Sequence, residues 1–140
     1  MYIASCDFNT LPAFAQEIVN QMPQGGIILL RGNLASGKTS FVKAFATVLG
    51  INEAISSPTF SILHEYEQKL FHYDIYQCGC EGFLSSGLIE KLDVEGYHLI
   101  EWGDTSFEKI LQRFAMAYTT IDIEIDGLKR TYKVNMNAHA

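Results

Sequence analysis

The chain has 140 residues, 48% hydrophobic and 19% charged, with a net charge of −6. That length suits a single domain over residues 1–140 with a real core, and the composition excludes a disordered chain. Three Arg and seven Lys are too few for a face that grips nucleic acid unaided, and no apolar run approaches the ~20 residues of a membrane span. The N-terminus has no basic, apolar leader, so the cytoplasm is the expected compartment. Cys6, Cys78 and Cys80 form an odd set without a second ligand pair and read as reduced, unremarkable thiols.

In chain order, residues 2–8 read as a short strand. Thr10 stands at an N-cap position with Pro12 in the first turn. Leu11, Phe14, Ile18, Val19 and Met22 recur at helical spacing, until Pro23 and the pair Gly25-Gly26 end the helix. Residues 27–30 are four apolar side chains in a row, which suits a strand buried on both faces. A glycine-rich loop follows at once. Phe41, Phe45, Val48 and Leu49 then share a helical face that Gly50 closes. Residues 59–66 and 70–76 are two β-prone runs joined by 67–69, the pattern of an antiparallel hairpin. Residues 79–87 read as loop and 88–92 as a turn or two of helix. Residues 97–102 read as a strand, and Phe107, Ile110, Leu111 and Phe114 as a short helix. Ile121, Ile123 and Ile125 alternate with acids in a half-buried strand that turns at Asp126-Gly127 into residues 131–136. The order predicts an α/β domain of three layers, a mixed β-sheet flanked by helices.

The loop at residues 32–39 reads GNLASGKT and fits G-x-x-x-x-G-K-[ST]. Triphosphate oxygens are best met by a ring of backbone N–H donors, and Gly32 and Gly37 allow the backbone angles and close approach such a ring requires. The helix that starts near Lys38 adds the positive end of its dipole. Lys38 can reach the β- and γ-phosphates, and the Thr39 hydroxyl can ligate the Mg²⁺ that bridges them. A strand before the loop and a helix after it, both read from periodicity, support the match.

Mg²⁺ needs further oxygen ligands from another strand end. Glu101 closes the apolar run HLI, where ligands bind in an open α/β sheet, and Asp74 is an acid inside the aromatic stretch LFHYDIYQ. Thr59 in SSPTF is either an ordinary turn residue before a strand or a switch that responds to the γ-phosphate. His72 shares a strand face with Asp74 and can bond Asp74 or another partner. His64, His98 and His139 have no ligand spacing and read as structural.

The segments GNLASGKTSF, SSPTFSILHEY, FHYDIY and LIEW occur in an order and spacing that resembles the TsaE family, the bacterial P-loop ATPases needed for threonylcarbamoyladenosine in tRNA. The resemblance spans residues 10–102. It implies a P-loop NTPase-like fold, ATP and Mg²⁺ as ligands, and action on a TsaB–TsaD assembly rather than transfer of the threonylcarbamoyl group itself. tRNA is then met indirectly through the complex, with no membrane and no direct DNA contact. By position, the resemblance implies that Leu34, Ala35, Ser36, Gly37, Lys38 and Thr39 wrap the phosphates, and that Thr39 and Glu101 hold Mg²⁺. It further implies that Asp74 supports hydrolysis, Thr59 acts as the switch, Trp102 lies beside the metal ligand, and Thr10 lies near the base. The sequence departs from the usual GDLGAGKT at Asn33, Ala35 and Ser36, and Gln77 stands where the family usually has Arg. Two other readings share the loop: a small P-loop kinase, and a nucleotide-dependent binding module with vestigial hydrolysis. A GTPase is disfavoured, because no N-K-x-D segment is present.

Overall fold

The structure is a computed structural model that describes residues 1–33, 36–55 and 62–136. Among these residues seven strands form one mixed sheet in the order β1-β7-β6-β2-β5-β4-β3. The strands are β1 (Tyr2–Cys6), β2 (Gly25–Arg31), β3 (Leu63–Tyr66), β4 (Leu70–Asp74), β5 (Gly96–Glu101), β6 (Thr119–Asp126) and β7 (Lys129–Asn135). The helices are α1 (Leu11–Gln21), α2 (Lys38–Val48), α3 (Gly79–Ser85) and α4 (Thr105–Arg113), with a 3₁₀ turn at Glu90–Asp93.

The centre of the sheet is parallel: β2 pairs in parallel with β5 and β6, and β4 with β5. Its strands are covered on both faces, which is why Ile27 to Leu30 can all be apolar. Ile28 and Leu30 join the core under α1 and α2. Ile27 and Leu29 join the core under α3 and α4, around Phe83, Phe107 and Leu111. The expected three layers are therefore present. Phe14, Phe41 and Tyr132 meet ring to ring at 4.9–6.0 Å and lock α1, α2 and β7 together.

Three local expectations change. Residues 79–87 were expected as loop, yet Gly79–Ser85 is helical. Its glycines hide the helix from propensity, but fully buried Phe83 packs edge-on against Phe107 at 4.9 Å and holds it in place. Gly25 and Gly26 belong to β2 rather than to a helix stop, because they pair with Gly96 and Tyr97 of β5. Thr10 occupies the N-cap position of α1 but makes no side-chain cap. Its hydroxyl instead accepts from the Asp7 amide at 3.0 Å, while the Asp7 carboxylate accepts from the amides of Asn9 and Thr10 at 2.9 and 3.0 Å. The expected hairpin exists as β3 and β4, while Thr59, Phe60 and Ser61 at its start lie outside the described residues.

This topology directs the function. β1, β6, β2, β5 and β4 all run in the same sense, since β7 is antiparallel to both β1 and β6. Their C-terminal ends therefore meet at one edge of the sheet, where ligands of open α/β sheets bind.

Candidate nucleotide-binding site

At that edge lies a cleft of about 330 Å³, and four strand ends and the start of α2 build it. The floor is the β2–α2 turn. Gly37 takes φ +108° at the N-cap of α2, a left-handed conformation that a side chain resists. Gly32 is needed for space instead: a Cβ there would come within 2.5 Å of Ser36 Oγ and 2.7 Å of the Ile123 carbonyl. Gly37, Lys38, Thr39 and Ser40 line the cleft, so an anion there would meet the start of α2 and the positive end of its dipole.

Lys38 is buried, with only 5% exposed, and its Nζ donates to the carbonyls of Gly32 at 2.8 Å and Asn33 at 3.0 Å. The same ammonium lies 3.9 Å from the ring centroid of Trp102. Burial pushes the Lys38 ammonium below its usual range, while the negative charges of Glu101 and Asp74 oppose that shift. Trp102 adopts φ +70°, a left-handed backbone uncommon for a bulky residue. Its amide bonds the Leu30 carbonyl at 3.0 Å, and its ring packs against Tyr76 at 4.6 Å. The end of β5 is thus held onto the end of β2, with the indole beside the loop.

The acidic end of the cleft comes from β4 and β5. Asp74 and Glu101 are paired neighbours at the ends of these strands. Asp74 Oδ1 accepts from the Tyr76 amide at 2.9 Å, which fixes the carboxylate at the cleft wall. Glu101 is 4% exposed, and its Oε2 lies 3.4 Å from Thr39 Oγ. Among the described residues no group of three or more His, Cys, Asp or Glu is placed to hold a metal. The donors at hand are oxygens, a hydroxyl and a carboxylate, the kind Mg²⁺ takes when phosphate oxygens and waters complete its shell. The residues fit that ion.

The opposite end of the cleft is apolar and open. It is lined by Phe8, Leu11 and Leu128, with Phe8 79% and Leu128 96% exposed. Thr10 sits in the adjoining turn, tied to Asp7, and is not one of the lining residues. Of the residues singled out from sequence, Gly37, Lys38, Thr39, Asp74, Glu101 and Trp102 converge on this cleft. Gly32 and buried Ser36 form the turn beneath it. Leu34, Ala35 and Thr59 lie outside the described residues.

Two site features were not read from sequence. Arg130 of β7 lines the cleft, and its Nε donates to the Ser36 carbonyl at 3.0 Å, so a cation from the hairpin braces the loop. The cross-strand register that brings Arg130 opposite Cys6 and Ile125 was the missing signal. Arg31, which immediately precedes the loop, binds Asp122 through Nε and Nη2 at 2.9 and 3.1 Å and Glu108 at 2.5 Å. This fork fixes the strand end from which the loop springs. Cys78 and Cys80 are free, and burial raises both thiols above their usual range.

Comparison with known proteins points to one family. Residues 6–133 match the family described as threonylcarbamoyl adenosine biosynthesis protein TsaE. A TsaE protein of Treponema pallidum is 42% identical over 86 residues, covering 59% of this chain and 64% of that protein. The Bacillus subtilis TsaE protein is 38% identical over 91 residues, 63% of this chain and 57% of that protein. The chain thus spans roughly half to two thirds of the length of these curated relatives. A crystal structure of Bacillus subtilis YdiB superposes with a TM-score of 0.68 at 25% identity, covering 97% of this chain and 86% of that one. No helix among the described residues is long and apolar enough to cross a membrane. With a P-loop NTPase-like fold and a family match over residues 6–133, the chain belongs to the TsaE family.

Proposed function

We propose that this chain binds Mg-ATP in the cleft, hydrolyses it, and so supports threonylcarbamoyladenosine synthesis on tRNA. Its target is a TsaB–TsaD assembly, and it does not transfer the threonylcarbamoyl group itself. One observation carries the reading: Thr39 Oγ and Glu101 Oε2 stand 3.4 Å apart at the start of α2, in the cleft that also holds Lys38 and Asp74. A hydroxyl, two carboxylates and a lysine around helix amides suit phosphoryl chemistry. The family membership supports the pathway.

In this reading the amides of residues 34–39 wrap the phosphates. Lys38 exchanges the Gly32 and Asn33 carbonyls for phosphate oxygens, and Arg130 adds a second cation from the hairpin. Thr39 and Glu101 hold Mg²⁺, which when bound neutralises phosphate charge and orients the transferred group. Asp74, fixed by the Tyr76 amide, orients the attacking water, and Thr59 responds to the γ-phosphate. Trp102 stands beside the phosphates, while Thr10 and the apolar end of the cleft take the base. An acidic chain without a broad basic face suits contact with tRNA through partners rather than directly.

ATP turnover measured with the chain alone, and again with TsaB and TsaD, tests the proposal. The expected result is slow hydrolysis alone and faster hydrolysis with both partners. Equal rates would count against a role on that assembly. tRNA modification reconstituted with and without this chain and ATP then tests the pathway.

A further inference from the structure

His72 is fully buried on β4, and its Nε2 hydrogen-bonds Glu101 Oε2 on β5. A carboxylate only accepts, so Nε2 carries the proton and donates. The other ring nitrogen, Nδ1, is buried and has no hydrogen-bond partner among the described residues. A lone pair without a partner costs less than an unsatisfied N–H, so the geometry fits a proton on Nε2. A buried polar atom left without a partner still carries a cost that an apolar residue at this packed position would not.

What the imidazole does is visible at Glu101. Oε2 is engaged by both His72 Nε2 and Thr39 Oγ, whereas Oε1 is engaged by neither. The ring therefore fixes the rotation of the carboxylate and turns a chosen oxygen toward the cleft. A carboxylate so held loses little freedom when it takes a ligand, which is how outer hydrogen bonds tune metal sites. Asp74, two residues along β4 and opposite Glu101, is held separately by the Tyr76 amide.

We propose that His72 is a positioning residue for the divalent cation: it orients Glu101 for metal and does not itself touch metal or nucleotide. The inference rests on the reading of the cleft as a Mg-nucleotide site. Its consequence is selective. Losing the His72 bond should weaken metal binding and leave metal-free nucleotide binding intact, because the phosphate loop and Lys38 do not depend on it.

The test is ADP affinity in EDTA and in Mn²⁺, with Mn²⁺ occupancy read by electron paramagnetic resonance. The proteins compared are wild type, His72→Gln, His72→Asn and His72→Leu. Gln can place an amide N–H near the Nε2 position, whereas Asn is too short and Leu has no donor. The expected result is a 10–100-fold loss of the Mn²⁺ enhancement in Asn and Leu, with EDTA affinity within about threefold of wild type and most of the enhancement kept in Gln. Unchanged enhancement in a folded Asn or Leu variant overturns the proposal. A parallel fall of EDTA affinity in both also overturns it, since that marks a packing role. A wild-type protein that binds ADP without any metal enhancement instead overturns the metal site itself, and the proposal with it.

Discussion

Two buried histidines lie one strand apart on opposite faces of the sheet, and their surroundings differ in kind. His98, on β5, has both nitrogens satisfied: the Tyr73 hydroxyl meets Nδ1 at 2.7 Å, and Nε2 meets the Val94 carbonyl at 2.6 Å. Its ring stacks on Phe71 at 4.5 Å with an interplanar angle of 9°. Burial pushes Tyr73 well above the usual phenol range, which keeps its hydroxyl a donor, and burial holds His98 below the usual imidazole range. His72, on β4, has one nitrogen on a carboxylate of the cleft and the other without a partner among the described residues. A histidine that completes its own hydrogen bonds belongs to the core; one that leaves a bond unmade to hold an acid belongs to the site. Burial alone, 0% for His72 and 1% for His98, does not separate them.

Four substitutions probe that contrast. The largest effect is expected at the cleft: Glu101→Ala or Lys38→Ala should lower Mg-ATP binding or turnover about 100-fold, because charged contacts to phosphate or metal are worth several kcal/mol in a dry site. Wild-type turnover in Glu101→Ala would remove that residue from the site, and His72 with it. An intermediate effect is expected on acid stability at His98. Its depressed folded pKa favours the neutral ring, so its share of stability is present above the unfolded value of about 6.5 and is lost as pH falls below it. Between pH 7 and pH 5 the wild type should lose more stability than His98→Gln in urea unfolding, since the neutral amide has no proton to gain. Equal losses would mean that His98 is not kept neutral by the fold. The smallest effect is Tyr73→Phe, which removes one neutral donor and should cost about 1 kcal/mol of stability without changing ADP or metal affinity. A change in metal affinity there would erase the distinction between the two faces.

Much of the domain was legible in the chain itself. Four apolar residues before GNLASGKT and a helical apolar face after it define strand, loop and helix without any partner information. Glu101 was legible because it ends such a run. The short helix Gly79–Ser85 was not, because three glycines within residues 79–87 mask it and only the buried contact of Phe83 with Phe107 reveals it. The bond from His72 to Glu101 was not legible either. Spacing gave His72 a face shared with Asp74, but the parallel register of β4 against β5 decides which acid it meets. Arg130 looked scattered for the same reason: 94 positions separate it from Ser36, and only β7 brings them together.

The contact between Lys38 and Trp102 gives the molecule an internal light source. Trp102 is the one tryptophan in 140 residues, so the indole emission of the whole protein comes from a ring with an ammonium 3.9 Å from its centre. If phosphate draws Lys38 away, the charge over that ring moves, and intensity and colour change with it. Occupancy of the cleft can then be followed in unlabelled protein, in a stopped-flow cell, on the timescale of binding itself.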